Sequence, residues 1–213
     1  MSAPPENIKI YHITHIENLP GMVEAERLYS DAKRIELGIA CNLVGMSTIK
    51  QRRLEELEVS CCPGTMVGEY VPFYFCPRSV MLFLLYKENH PDLEYRGGQE
   101  PIVHLQADLN ATIRWAEEND VGWAFSSGNA GARYASFYSR KAHLNKLDWA
   151  GVANSDFRDP MVKEAKQSEF LVFESFPLHL VEKIGVINAT MLARTSEVVE
   201  NGIEVAVESQ WYY

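Results

Sequence analysis

No run of apolar residues in this chain is long enough to cross a bilayer. The longest, Val80 to Leu85, falls far short of the roughly 20 residues that a spanning helix needs. The opening Met1-Ser2-Ala3-Pro4-Pro5 has neither a basic flank nor an apolar core, so no secretory signal is expected. Cysteine is scarce, and Cys41, Cys61, Cys62 and Cys76 include no C-x-x-C pair. That spacing argues against a zinc site and against a disulfide framework, and it leads us to expect reduced thiols in a cytoplasm. No Gly-rich phosphate fingerprint follows a predicted strand, so neither a Rossmann dinucleotide site nor a P-loop is expected. G-x-S-x-G and H-E-x-x-H are missing, as are repeats, low-complexity tracts and long linkers.

Excess positive charge is missing too. The net charge of −9 argues against blanket attraction to nucleic acid. The charge is uneven, however. Lys33, Arg34, Lys50, Arg52 and Arg53 face only Asp31 and Glu36 between residues 31 and 53, and residues 133 to 166 are again basic in balance. From Glu169 onward glutamates dominate. Either a basic face on an acidic body or an ordinary mixed surface fits this pattern.

With 213 residues, 46% hydrophobic and 23% charged, the chain can bury a real core within one domain. Alternation predicts a strand over 9–14. Asn18 can cap a helix carrying Pro20 in its first turn and reaching about Arg27. Residues 49–57 are helix-prone, and Cys61-Cys62-Pro63-Gly64 is a turn. Residues 70–76 read as a strand, and Pro72 places it at an edge or a bulge. Ser79 can cap a buried helix over 80–87. Strands are expected at 101–105, 123–125, 169–173, 184–187 and 203–207. Helices are expected at 109–118 and, from the spacing of Tyr134 and Tyr138, at 130–138. A loop is expected at 126–129 and a polar approach at 156–166. Short strands with irregularly placed helices favour an α+β sandwich.

Several groups could carry chemistry. Glu169 opens an otherwise apolar strand and is either a solvated strand end or a site residue. Gln167 shares its face on extended backbone, so an amide and a carboxylate could together grip a sugar hydroxyl. His12, Thr14 and Asn18 could reach one pocket, although His12 and His15 do not share a strand face. This set is poor as a zinc site. Arg52 or Arg53 could face inward and bind a pyrophosphate in bidentate fashion. Arg78 sits beside Tyr70, Phe73, Tyr74 and Phe75, whose rings could stack on a base or a nicotinamide. A Cys76–His104 nucleophile has no local support.

The ordered set Tyr11-His12-Ile13-Thr14-His15, Asn18-Leu19, Ile49-Lys50-Gln51-Arg52-Arg53-Leu54, Tyr70 to Leu82 and Lys166 to Val172 strongly resembles the DarT family of bacterial toxins, which are DNA ADP-ribosyltransferases. The likeness runs from about Lys9 to Val172, and the closing Trp211-Tyr212-Tyr213 is also similar. The resemblance implies one ADP-ribosyltransferase domain over 1–213, with two packed, mostly antiparallel sheets, surrounding helices and a central NAD cleft. It implies NAD⁺ as co-substrate, no metal, and transfer of ADP-ribose to a base, thymidine, in single-stranded DNA. It also implies pairing with a macrodomain antitoxin that removes the mark, while the cysteine usage and short apolar runs above lead us to expect a cytoplasmic protein with no membrane partner. A related branch modifies guanosine, and RNA, protein or water as acceptor, or a binding module without activity, are the competing readings. Position by position, Glu169 matches the catalytic glutamate, and Arg52 or Arg53 the catalytic arginine. His12, with Thr14 beside it, matches the NAD-holding histidine. Asn18, Tyr74 and Arg78 are candidates for the same cleft. The segment 154–167 matches the acceptor loop, with Arg158, Lys166 and Gln167 as candidate DNA contacts.

Overall fold

A computed structural model describes residues 3–88, 90–156, 158–199 and 202–213. Met1 and Ser2 of the N-terminal stretch and Phe157 of the acceptor segment lie outside the described residues. The architecture is α+β. An eight-stranded sheet has the order β10 (Glu204–Val207), β9 (Val181–Val186), β4 (Ile102–Asp108), β1 (Lys9–His15), β3 (Tyr70–Tyr74), β7 (Ser168–Phe173), β5 (Trp123–Asn129), β6 (Phe137–Tyr138). A second sheet pairs β2 (Arg27–Tyr29) with β8 (Ser175–Pro177). Every ladder is antiparallel except β9–β10. No described helix is long and apolar enough to cross a membrane.

The central strands set the shape. β1 pairs along its whole length with β4, from Lys9↔Asp108 to His15↔Ile102. Its pairing with β3 is confined to Tyr11↔Tyr74. The two strands therefore cross like scissor blades and open a gap on each side of that pair. One gap runs between His12–Thr14 and Pro72–Tyr70, and the other between Ile8–Lys9 and Phe75–Arg78. β3 is thus an interior strand, not the edge or bulge that Pro72 suggested. The Pro72 carbonyl receives the His12 Nδ1–H across the first gap at 2.8 Å. Carbonyl and amide nitrogen of one strand residue point the same way, so the missing Pro72 donor also faces the gap, where no ladder partner waits.

Local chemistry explains most of the remaining elements. α4 (Val80–Lys87) and α5 (Leu109–Glu118) begin where Ser79 and Asp108 accept from Leu82 N–H and Ala111 N–H. α1 (Leu19–Glu24) begins after Asn18 with Pro20 in its first turn, but the Asn18 side chain makes no capping bond. The helix also stops early, because Arg27–Tyr29 joins β8. α2 (Asp31–Glu36) starts at Ser30, which accepts from Lys33 N–H. α3 (Ser47–Glu55) buries no residue fully, and α6 (Trp149–Ala153), α7 (Pro160–Ala165) and α8 (Ala189–Val198) complete the helices used below.

Two expectations fail here. Residues 126–129 belong to β5, whose register shifts between Phe125 and Asn129. Residues 130–138 form turns leading into β6 instead of a helix. The Asn129 Oδ1 takes the Gly131 N–H at 2.8 Å, which fixes a turn, and Tyr134 is 96% exposed.

His104 is fully buried on β4, edge-on to Tyr212 at 4.8 Å, with its Nε2–H donated to Pro77 O at 3.0 Å. Among the described residues no hydrogen bond joins it to Cys76, whose thiol lies against the carbonyls of Arg78 and Lys166. Burial pushes the His104 pKa down from 6.5 to about 4, so the ring is neutral when folded. The unfolded state then binds more protons below pH 6.5. Stability is complete above that pH and is lost as pH falls toward 4. The loss is on the order of 3 kcal/mol at 1.36 kcal/mol per pH unit. Urea midpoints measured from pH 7 to 4 are expected to fall more steeply for the native chain than for His104→Gln. Equal slopes would deny the buried neutral ring.

Candidate active site

The first gap widens into a cleft of about 320 Å³. Alternation along β3 sends Tyr70, Pro72 and Tyr74 to the cleft and Val71, Phe73 and Phe75 to the core, so only two of the four proposed stacking rings face it. His12 and Thr14 of β1, Asn18, Lys50 and Arg53 of α3, Asn129 of β5, and Gln167 and Glu169 of the β7 entry complete the walls used here.

Glu169 and Arg53 form the centre. The guanidinium meets the carboxylate in a fork, with Nη1–Oε1 at 3.0 Å and Nη2–Oε2 at 2.9 Å. The two side chains are only 14% and 4% exposed. A bidentate pair this dry is strong and fixes orientation. Each carboxylate oxygen spends one lone pair on Arg53 and keeps another. The Glu169 N–H is held by the Ser126 hydroxyl at 3.1 Å, which anchors the backbone from β5. Tyr74 stands opposite Glu169 in the ladder. Burial, and next the charge of Glu169, push its phenol up, so it remains a protonated donor.

Arg52, adjacent on the same helix, turns outward toward Glu56 at 3.8 Å and does not line the cleft. Burial lowers the His12 pKa, partly offset by its bond to Pro72 O. Because Nδ1 carries the proton donated to that carbonyl, Nε2 of the neutral ring is an acceptor. Asn18 is at the cleft, but its amide is spent. Nδ2 donates to Thr14 Oγ1 at 3.0 Å and to Asn42 O at 3.1 Å, while Oδ1 takes the Asn42 N–H at 2.8 Å. Asn18 therefore pins the loop that roofs the cleft from Ile39 to Met46. Gln167 does share the face of Glu169. Its Oε1 takes the Asn129 amide N–H at 3.2 Å and its Nε2 donates to Lys163 O at 3.2 Å.

Three sequence candidates lie elsewhere. Arg78 does not line this cleft. It opens onto the second gap and stacks over Tyr213 at 4.4 Å. Lys166 is no surface contact, being 4% exposed with its ammonium on Val152 O at 3.2 Å. Arg158 is 90% exposed, is engaged by Asp156 and does not line the cleft. Sequence reasoning missed Asn129, Lys50 and Arg34. Lys50 reaches Asp31 at 3.1 Å on the wall. Arg34 Nε is buried on the same wall without an acceptor. Both cations belong to the basic stretch 31–53, which was the available signal. Among the described residues, no group of three or more His, Cys, Asp or Glu side chains is placed to hold a metal ion.

A family model described as ssDNA thymidine ADP-ribosyltransferase, DarT, matches residues 11–213. A DNA ADP-ribosyl transferase of Thermus sp. (strain 2.9) is 34% identical over 217 residues, spanning 98% of this chain and 98% of its own. The structure of Thermus sp. 2.9 DarT in complex with ADP-ribosylated ssDNA aligns with a TM-score of 0.88 at 31% identity, over 100% of this chain and 99% of that one. Thermus sp. 2.9 DarT in complex with NAD⁺ aligns with a TM-score of 0.80 at 30% identity, over 99% of this chain and 100% of that one.

Proposed function

Since this chain belongs to the DarT family and is an NAD-dependent DNA ADP-ribosyltransferase acting on single strands, we propose that its acceptor is thymidine and that Glu169, Arg53 and His12 carry the reaction. The observation that supports this most is the buried Arg53–Glu169 fork at the head of a cleft that also holds a neutral histidine acceptor.

The cleft suits NAD⁺ as substrate. The unspent Arg34 Nε and the Lys50 ammonium are donors of the kind a pyrophosphate takes. His12 Nε2 offers an acceptor for a ribose hydroxyl, beside Tyr74. Tyr70 and Tyr74 offer rings for the nicotinamide. Departure of nicotinamide leaves positive charge on the ribose, as in glycoside chemistry. The Glu169 carboxylate, fixed before the reaction by Arg53 and Ser126, meets that charge without reorganising, so it stabilises the transition state more than the ground state. One Glu169 oxygen steadies the ribose hydroxyl. The other receives the proton that the thymine ring nitrogen loses as it bonds to the ribose carbon. Gln167, locked between Asn129 and Lys163 on the same wall, is placed to meet the acceptor base.

We further infer that the chain is the toxin of a pair whose partner is a macrodomain ADP-ribosyl hydrolase, a reading supported by family membership. Labelled NAD⁺ offered together with single-stranded DNA, RNA and protein tests the acceptor class. Label is expected in DNA and should depend on thymine. Label on guanine would move the chain to the guanosine branch, and label in RNA or protein alone would overturn the reading.

A further inference from the structure

We infer that the second gap between β1 and β3 is a phosphate subsite for the single-stranded DNA, with Arg78 and Lys166 as its cationic contacts. The gap forms a cavity of about 350 Å³ behind the Tyr11↔Tyr74 crossing. Tyr74 lines the catalytic cleft on one side of that crossing, and Tyr11 lines this cavity on the other. Ile8, Phe75, Trp149 and Asn154 contribute to its walls, and no carboxylate does.

The cations are the argument. Lys166 is buried, its ammonium donates to the Val152 carbonyl and lies against the Cys76 thiol, and it forms no ion pair among the described residues. One of its three donors is left over, and none meets an anion among the described residues. Arg78 is half-buried, its Nε has no acceptor among the described residues, and its guanidinium lies over the face of Tyr213 and beside that residue's hydroxyl. Lys9, the third cation on the wall, is already neutralised by Asp108 and Glu182. Burying cations without counter-charge is costly. A buried lysine and a half-buried arginine around one cavity, neither with a counter-charge among the described residues, call for an anion, and a phosphate matches donors of this kind.

The position selects DNA as its source. Lys166 and Glu169 are three residues apart, so their Cα atoms lie at most about 10 Å apart. That is the scale of a nucleotide step or two in an extended strand. An acceptor base at Glu169 would thus put a neighbouring phosphate within reach of this cavity. The acceptor segment 154–167 supplies Asn154, Ser155 and Lys166 to its wall, which ties the cavity to the same strand. This assignment rests on single-stranded DNA being the substrate.

The test is the salt dependence of oligonucleotide binding to the full chain, read by fluorescence anisotropy. Each phosphate contact contributes about 0.7 to the slope of log K against log salt on single strands. Arg78→Gln and Lys166→Gln are each expected to reduce the slope by about 0.7, with Arg78→Lys restoring it in part. The KM for oligonucleotide should rise roughly tenfold while the KM for NAD⁺ moves less than about twofold, following the same loss of one charged contact. Unchanged slopes in folded variants would overturn the subsite. So would a wild-type cavity that binds inorganic phosphate, seen by calorimetry and lost in Arg78→Gln, while the DNA slope stays the same. Failure of the wild type to bind single strands at all would instead strike at the substrate itself.

Discussion

Glu169→Gln is expected to lower ADP-ribose transfer to single-stranded DNA by at least about 10²–10³-fold, the range seen when one preorganised electrostatic group is removed from a reacting centre. The substitution keeps size and shape but removes the charge that faces the ribose and the oxygen that takes the proton. It also turns an amide N–H toward Arg53, where two acceptor oxygens now lie at 3.0 and 2.9 Å. Some stability is therefore lost as well. Circular dichroism and the thermal midpoint must show a folded variant before the rate is read. Transfer within tenfold of wild type in a folded Glu169→Gln protein would remove this carboxylate from the mechanism.

The second large effect separates neighbours on α3. Arg53→Ala leaves the buried Glu169 carboxyl without its partner, a change that costs about 3–5 kcal/mol in stability and removes the fork that aims it. Transfer is expected to fall about 10²-fold or more. Arg53→Lys keeps the charge, loses the bidentate geometry, and should stay folded with transfer still well below wild type. Arg52→Ala touches only an exposed pair with Glu56 and should stay within about 0.5 kcal/mol of the parent. Its transfer rate should be close to wild type. Denaturant melts and single-turnover transfer on the three variants check this. Equal losses at both arginines would show that helix integrity, not the fork, sets the rate.

Much of the fold was legible because local signals agreed. Alternation marked β1, Ser79 announced α4, and residues 109–118 read as the helix that α5 is. Where the prediction went astray, long-range context prevailed. Tyr134 and Tyr138 have helical spacing, but Asn129 bonds Gly131 and closes a turn before a helix can start. Pro72 argues for an edge strand only if every interior strand needs donors on both sides, and the scissor crossing removes that need. The small strands β2 and β8 are too short to carry a period of their own.

The site divides in the same way. Glu169 is ambiguous by pattern, since a carboxylate at a strand start is commonly solvated. It became a candidate through the ordered resemblance, and its burial is a tertiary fact. Arg52 and Arg53 could not be separated because α3 has no fully buried residue and hence no inward face to read. Lys166 and Arg78 looked like surface or cofactor contacts because nothing in a linear sequence shows that Phe75, Trp149 and Val152 close a cavity over them. Asn18 has the residue type of a ligand contact but spends its amide holding the roof loop.

The most direct test is to incubate the protein with NAD⁺ and a single-stranded oligonucleotide holding one thymidine and one guanosine, digest it to nucleosides and identify the adduct by tandem mass spectrometry. The account predicts one ADP-ribose on the thymine ring nitrogen, formed by the wild type and lost with Glu169→Gln. An adduct on guanine, or a thymine adduct that persists in the folded Glu169→Gln protein, would contradict it.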